Sequence, residues 1–247
     1  FKDPSLSSKI SQGVTTCITG NCGISLAPFS FKGTVPAPIA LLGKSDVFNY
    51  PRIKDYVDKF KSNPSTVNVA LLTGHSMLRV EAMNGDFDRT ANSEEISKMI
   101  DKLEVAIQDG SIGLSTGLAY PAANAAPTQE IIELTKILPK YDAIFTTHMR
   151  NEAVDVIKSV KETIEITNTS NVRTVISHHK CAGRSNWGKS KQTLKLIEEA
   201  KQNNFLDLDC YPYTASSTML LKDFVKRADK VLVTWSDNFP DVSGQDL

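Results

Sequence analysis

Short runs of β-branched and apolar residues alternate with longer runs in which apolar residues recur three and four positions apart. The first kind of run is typical of a buried strand, and the second of a helix with one buried face. Regular alternation of strands and helices predicts a parallel sheet, arranged either as a barrel or as a doubly wound sheet. We place the strands directly after residues 13, 66, 111, 142, 171 and 204, and the helices near 8–12, 51–61, 92–110, 128–138, 152–168 and 191–202.

Two stretches depart from this alternation. Residues 25–50 carry three prolines and little periodicity, so we expect them to form a loop. Residues 230–235 read Lys-Val-Leu-Val-Thr-Trp, which predicts a strand outside the main alternation.

Residues 143–180 are the most informative stretch, because two of its predicted strands end on histidine. Ala-Ile-Phe-Thr-Thr leads to His148, and Val-Arg-Thr-Val-Ile-Ser leads to His178, with a helical run between them. A strand–helix–strand crossover makes the two strands parallel neighbours in one sheet. We therefore expect His148 and His178 at the same edge of the sheet, where α/β folds place their chemistry.

Other candidates lie on the first two predicted strands. Cys22 follows the first strand between glycines, which suits a metal ligand or a nucleophile; the alternative is a small buried side chain beside a tight turn. His75 follows the second strand beside Gly74, and we assign it a structural role because only its location favours a ligand. Cys17, in the middle of its strand, is assigned to the core.

These candidates together suit a metal. A mononuclear hydrolytic zinc site needs about three protein ligands of nitrogen, sulfur or carboxylate type and an open position for water. Cys22, His148 and His178 meet that need, whereas the two histidines alone could be a proton-transfer pair or core residues. An incomplete (β/α)8 TIM-type barrel, with about six of eight strands and the first and last missing, fits the alternation and the chemistry at several strand ends.

Composition narrows the choice of partners. The chain has 247 residues, of which 28 are basic and 28 acidic, so nothing favours nucleic acid or an anionic membrane surface. No apolar run approaches the roughly 18 residues that span a bilayer, and no signal peptide is visible. Four scattered cysteines fit a reducing compartment. We expect a cytoplasmic protein that acts on a small molecule, with its oligomeric state left open.

Seven different short motifs occur along the chain, most of them at the predicted strand ends. They are Gln-Gly-Val-Thr-Thr at 12–16, Gly-Asn-Cys-Gly at 20–23, Gly-Leu-Ser-Thr-Gly-Leu-Ala-Tyr-Pro at 113–121, Thr-His-Met-Arg-Asn-Glu at 147–152, Ile-Ser-His-His-Lys-Cys-Ala-Gly at 176–183, Asp-Cys-Tyr-Pro-Tyr-Thr at 209–214 and Val-Thr-Trp-Ser-Asp at 233–237. Together they resemble the D-aminoacylases, which are N-acyl-D-amino acid deacylases of the amidohydrolase superfamily. The resemblance covers essentially the whole chain.

The resemblance implies a metal-dependent (β/α)8 barrel with a small β-rich domain, which hydrolyses the amide of an N-acyl-D-amino acid to a carboxylate and a D-amino acid. It implies that Cys22 is a metal-bridging thiolate and that His148 and His178 complete the tightly held zinc site. It further implies that four residues hold the carboxylate or the acyl oxygen of the substrate: Tyr120, Lys180, Tyr211 and Ser217. His179 is expected to pack beside a ligand or support it.

The chain also departs from the family pattern. The His-X-His pair of the first strand, the acidic general base of the last strand and both ends of the small β domain have no counterpart in the 247 residues. We therefore expect residues 1–247 to be a central fragment, part of the barrel of a longer enzyme and inactive alone. One alternative is an amidohydrolase acting on another C–N bond, which Cys22 disfavours because many relatives use a modified lysine as the bridge. The other is a non-catalytic or degenerate zinc-binding chain, which the missing base favours.

Overall fold

The structure, a computed structural model, describes residues 3–31, 33–43, 45–226 and 228–247. The strands are β1 (Thr16–Thr19), β2 (Phe29–Ser30), β3 (Asn49–Tyr50), β4 (Asn68–Gly74), β5 (Gly113–Gly117), β6 (Ile144–His148), β7 (Arg173–Ile176) and β8 (Leu206–Leu208). The helices are α1 (Ser7–Ile10), α2 (Ile53–Lys61), α3 (His75–Ala82), α4 (Ser93–Gln108), α5 (Pro121–Asn124), α6 (Thr128–Thr135), α7 (Val156–Ser170), α8 (Ser190–Lys201) and α9 (Lys222–Lys226).

Six parallel strands in the described part of the chain form one curled sheet, in the order β1-β4-β5-β6-β7-β8. Neighbours in space are also neighbours along the main alternation, without the reversal of strand order that marks a doubly wound sheet. The register pairs Gly117 with His148 and Ile176 with Leu208, so the carboxyl ends of β5 to β8 lie side by side. The prediction of an incomplete (β/α)8 barrel is confirmed.

The hydrophobic core lies between the sheet and its helices. Leu114 of β5 and Phe145 of β6 are fully buried in one cluster with Leu103 of α4 and Leu134 of α6. A second cluster joins Ile176 of β7 to residues of α7 and α8. Helix α4 begins as its sequence predicts, because the Asn92 side chain accepts from the backbone N–H of Glu95 and the Glu95 carboxylate accepts from that of Asn92.

The helix after β6 begins later than predicted. We expected it to start at Glu152, but α7 begins at Val156. The Asn151 side-chain oxygen accepts hydrogen bonds from the backbone N–H groups of Ala153 and Asp155, at 2.8 and 3.2 Å, and so forms a turn ahead of the helix. This turn leaves Glu152 outside the helix, beside the end of β6.

Two predictions outside the main sheet were wrong. Residues 25–50 are not only loop, because β2 and β3 pair there as a short antiparallel sheet whose Phe29 is fully buried; Lys32 and Lys44 fall outside the described residues. Residues 230–235 do not form a regular strand: Leu232 makes an isolated antiparallel bridge to Asp246, and three backbone hydrogen bonds join residues 231–233 to residues 244–247. A pairing this short does not continue into the longer row of backbone hydrogen bonds that a strand needs. None of the described helices is long and apolar enough to cross a membrane.

A charged cluster is fully buried between α3 and α6. The Arg79 guanidinium donates to both Glu130 oxygens, at 2.6 and 2.5 Å, and His75 Nε2 lies 2.8 Å from Glu130 Oε1. Burial raises the pKa of Glu130, but His75 and Arg79 outweigh it and lower that pKa below its ordinary value. Burial lowers the pKa of His75. The cluster links α3 to α6, and it assigns His75 to structure, as the sequence suggests.

We predict that Glu130→Gln lowers the free energy of unfolding by about 3–5 kcal/mol, because it leaves the buried Arg79 charge without its partner. Urea denaturation followed by circular dichroism measures the change. Glu94→Gln is the control: it removes the partner of Lys98 in an exposed pair on α4, and no measurable change is expected. Equal stabilities of the two variants would contradict the assigned role of the buried cluster.

Candidate metal centre

Three zinc-type donors meet at the carboxyl edge of the sheet. One ligand atom each of Cys22, His148 and His178 lies within 4.8 Å of the other two, and Cys22 Sγ is 3.3 Å from His178 Nε2. Each residue comes from the end of a different strand: β1, β6 and β7. The structure therefore brings together the three residues that the sequence singles out as ligands.

Cys22 reaches the cluster through a tight turn that lies against two strands. A side chain added at Gly117 of β5 would place its Cβ 2.2 Å from the Cys22 carbonyl oxygen. One added at Gly74 of β4 would come within 2.5 Å of the Gly23 carbonyl oxygen. Only a residue without a side chain fits at these two positions. Ser115 of β5 holds the turn further, accepting from the Gly23 backbone N–H at 3.1 Å and donating to the Gly20 carbonyl.

The two histidines reach the cluster by different routes. His148 is the last residue of β6, and its ring is almost fully buried. His178 comes two residues after the end of β7, in a left-handed backbone conformation with φ of 40°. The backbone N–H of His178 donates to the Asp209 carboxylate at 2.6 Å, and the His179 N–H donates to the Asp209 carbonyl at 2.8 Å. Asp209, directly after β8, thus holds the backbone on both sides of this bend.

Glu152 is a member of the site that sequence reasoning missed as a functional residue. Its Oε1 lies 3.0 Å from His178 Nδ1 and 2.7 Å from Lys180 Nζ, and its Oε2 lies 3.6 Å from His148 Nε2. His178 Nδ1 and Lys180 Nζ lie 2.9 Å apart, because both contact the same Glu152 oxygen. A carboxylate on Nδ1 fixes the orientation of the His178 ring and leaves Nε2, next to Cys22, as the ligand atom.

The charged groups of the cluster shift the pKa values of Glu152 and His178. Burial raises the pKa of Glu152, but His178, His148 and Lys180 outweigh it and lower that pKa to about 2. Burial lowers the pKa of His178, but its hydrogen bonds to Cys22 and Glu152 and the charge of Glu152 outweigh it and raise that pKa to about 9. A metal must displace a proton from such an imidazole, so metal binding here is coupled to proton release.

The residues expected to hold substrate differ in how near they lie to the three donors. The Tyr120 ring lies 4.7 Å from the His148 ring, and burial raises the pKa of its hydroxyl to about 12 although Thr218 hydrogen-bonds to it. Lys180 Nζ lies 5.6 Å from the centre of the Tyr211 ring, so Tyr211 also borders the site. Ser217 is exposed, and its neighbour Thr218 is the residue that contacts Tyr120.

The remaining predicted positions are not among the donors. His179 Nε2 is buried without a hydrogen-bond partner, and burial lowers the pKa of its ring. That pattern fits packing beside the candidate ligand His178. Cys17 is only half-buried on β1, so its assignment to the core was wrong. The first strand is an edge of the sheet, where one side of the strand has no neighbour among the described strands.

The donor set fits zinc. Zinc–sulfur distances of about 2.3 Å and zinc–nitrogen distances of about 2.0–2.1 Å place tetrahedral ligand atoms about 3.5 Å from one another. The distance of 3.3 Å between Cys22 Sγ and His178 Nε2 is close to that value, and all three ligand atoms lie within 4.8 Å of one another. Thiolate and imidazole are ligands that zinc takes readily, and three of them leave a fourth position open.

Comparison with known proteins identifies relatives of this chain. A D-aminoacylase from Alcaligenes xylosoxydans is 46% identical over 239 residues, which cover 97% of this chain and 49% of that protein. A crystal structure of D-aminoacylase matches 100% of this chain and 52% of its own, with a TM-score of 0.95 and 44% identity. The chain is homologous to the N-acyl-D-amino acid deacylases. No protein-family model matches it.

A third deacylase relative carries a metal. The N-acyl-D-glutamate deacylase of Bordetella bronchiseptica, complexed with zinc and a phosphonate inhibitor that mimics the tetrahedral intermediate, matches 98% of this chain and 51% of its own. The TM-score is 0.93 at 37% identity. The chain thus spans about half the length of the deacylases that it matches.

We predict that Gly117→Ala weakens zinc binding and lowers the free energy of unfolding by about 1–3 kcal/mol, because the new methyl group pushes the Cys22 backbone away from the histidines. Chelator competition and urea denaturation measure the two effects. Gly13→Ala is the control. Its methyl group meets no atom within 4 Å, so it adds only the strain of a positive φ and leaves zinc affinity unchanged. Wild-type zinc affinity in Gly117→Ala would contradict the steric role of this glycine.

Proposed function

We propose that this chain binds Zn²⁺ through Cys22, His148 and His178, and that it forms the metal centre and part of the substrate pocket of an N-acyl-D-amino acid deacylase. The observation that carries the proposal is the meeting of these donors within 4.8 Å at three strand ends. Homology to the deacylases supports it. Residues 1–247 then make up part of a metal-dependent amidohydrolase barrel.

The metal and the chain's residues contribute different parts of the chemistry. Bound zinc acts as a Lewis acid and lowers the pKa of a bound water to about 7. The Tyr120 hydroxyl, with a pKa of about 12, stays protonated at neutral pH and is able to donate a hydrogen bond to the acyl oxygen as negative charge develops on it. Its place against the His148 ring brings this donor next to a ligand.

Lys180 is the cation assigned to the substrate carboxylate. Its ammonium group lies among Glu152, His178 and the Tyr211 ring, so its position is fixed before substrate arrives. We assign Tyr211 and Ser217 to the same end of the substrate. The Tyr211 hydroxyl is 2.9 Å from Ser216 Oγ, which ties the ring to the segment that carries Ser217.

Removal of the thiolate tests the ligand set. We predict that Cys22→Ser lowers the zinc content of the purified chain well below one ion per chain, because a neutral hydroxyl is a much weaker zinc ligand than a thiolate. Elemental analysis after gel filtration measures it. Cys17→Ser, on the same strand and outside the cluster, is the control and keeps the wild-type content. Full zinc content in Cys22→Ser would remove Cys22 from the ligand set.

Hydrolysis of N-acetyl-D-methionine, with the L-enantiomer as the control, tests the activity. The 247-residue chain is assayed with added zinc beside a version extended to the length of its relatives. We expect turnover of the D-substrate in the extended version alone, since the general base of the family has no counterpart in this chain. Zinc binding without turnover in either would favour a non-catalytic protein, and turnover of a cyclic amide instead would favour another amidohydrolase reaction. Turnover in the short chain would overturn the account of the missing base.

A further inference from the structure

One side chain joins the three segments that carry the proposed ligands: it belongs to the segment of Cys22 and contacts the other two. Asn21 directly precedes Cys22, and its Nδ2 donates to Ser177 Oγ at 3.1 Å. Ser177 in turn directly precedes His178. The Asn21 Oδ1 accepts from Thr146 Oγ1 at 2.7 Å, and Thr146 lies two residues before His148 on β6.

Two of the three ligands need such support because of their backbone conformation. Cys22 has φ of 55° and His178 has φ of 40°, both in the left-handed region that residues with a side chain seldom adopt. Conformations of this kind persist only where the surrounding structure imposes them, and they cluster at functional sites. The Asn21–Ser177 hydrogen bond joins the two residues that lead into these two bends.

An asparagine meets the requirements of this position through its chemistry. Its side chain offers a donor and an acceptor on one rigid amide: Nδ2 donates to Ser177, and Oδ1 accepts from Thr146 and also lies 3.3 Å from Ser177 Oγ. An aspartate lacks the donor, and an alanine lacks both. Thr146 and Ser177 are 5% and 1% exposed, so water does not readily replace a lost partner.

From this juxtaposition we infer that Asn21 is a positioning residue of the metal centre: its amide ties the segments of Cys22, His148 and His178 together and holds the three donors close to one another before the metal arrives. The inference rests on the proposed ligand set. Its consequence is that zinc affinity depends on a residue that does not touch the metal.

The test compares Asn21→Ala with the wild-type chain. We expect zinc affinity, measured by competition with a chromophoric chelator, to fall about 10- to 100-fold, the usual loss when a residue that orients ligands is removed. In the cobalt-substituted chain, the thiolate-to-cobalt absorption band is expected to weaken or shift, because the Cys22 thiolate leaves its place. Thr174→Val is the control: it removes a buried hydroxyl at the start of β7 that accepts from Thr167 at 2.9 Å and donates to the Val172 carbonyl, neither of which adjoins a proposed ligand, so affinity stays within about twofold of wild type.

Two further variants keep the inference testable if Asn21→Ala does not fold. Ser177→Ala and Thr146→Val each remove one partner of the amide, and each is expected to weaken zinc binding more than Thr174→Val does. Unfolding with chelator present shows whether stability falls equally in variants and control. Wild-type affinity in Asn21→Ala, or equal losses in these variants and the control, would overturn the positioning role. Failure of the wild-type chain to bind zinc would instead overturn the ligand set of the proposed function.

Discussion

The close approach of the turn at residues 20–23 to the ends of β4 and β5 is the constraint on which the site depends. The two histidines come from adjacent strands, and adjacent parallel strands bring their carboxyl ends together without further help. Cys22 follows β1, which is separated from β6 by two strands, β4 and β5. It meets the histidines because Gly74 and Gly117 let the turn lie directly on the backbone of those strands. The position of the Cys22 side chain therefore depends on the absence of side chains at Gly74 and Gly117 on these two strands.

The site also depends on a balance of charge around Glu152. Glu152 is the carboxylate that faces His148, His178 and Lys180 together, and it stays ionised although it is largely buried. A buried carboxylate of this kind persists only where charges and hydrogen bonds offset the loss of water. The same residue therefore orients a ligand and balances an ammonium group. The separate cluster of Arg79 and Glu130 pairs its charges between α3 and α6.

The sequence predicted the parts of the site that follow from local pattern. Runs of β-branched residues marked the strands, and a strand end fixes where His148 and His178 must lie. Glu152 was missed because its role depends on the Asn151 turn that delays α7, and the helical spacing of the following residues conceals that turn. Asn21 was missed because asparagine next to a glycine is an ordinary turn residue, while its partners lie 125 and 156 positions away along the chain. The wrong strand at 230–235 has the same origin, since an apolar run forms a strand only where a partner continues beside it.

Lys180 already has a counter-ion. Because Glu152 lies 2.7 Å from its ammonium group, a substrate carboxylate held by Lys180, as we propose, shares that cation with Glu152. The gain from pairing with that carboxylate is the difference between the new pair and the one it perturbs, so recognition of the carboxylate alone gives little affinity. In the proposed deacylase, the substrate and the released amino acid both carry the carboxylate, but only the substrate carries the acyl group. Weak retention of the common group favours release of the free amino acid, and it leaves discrimination to the acyl end.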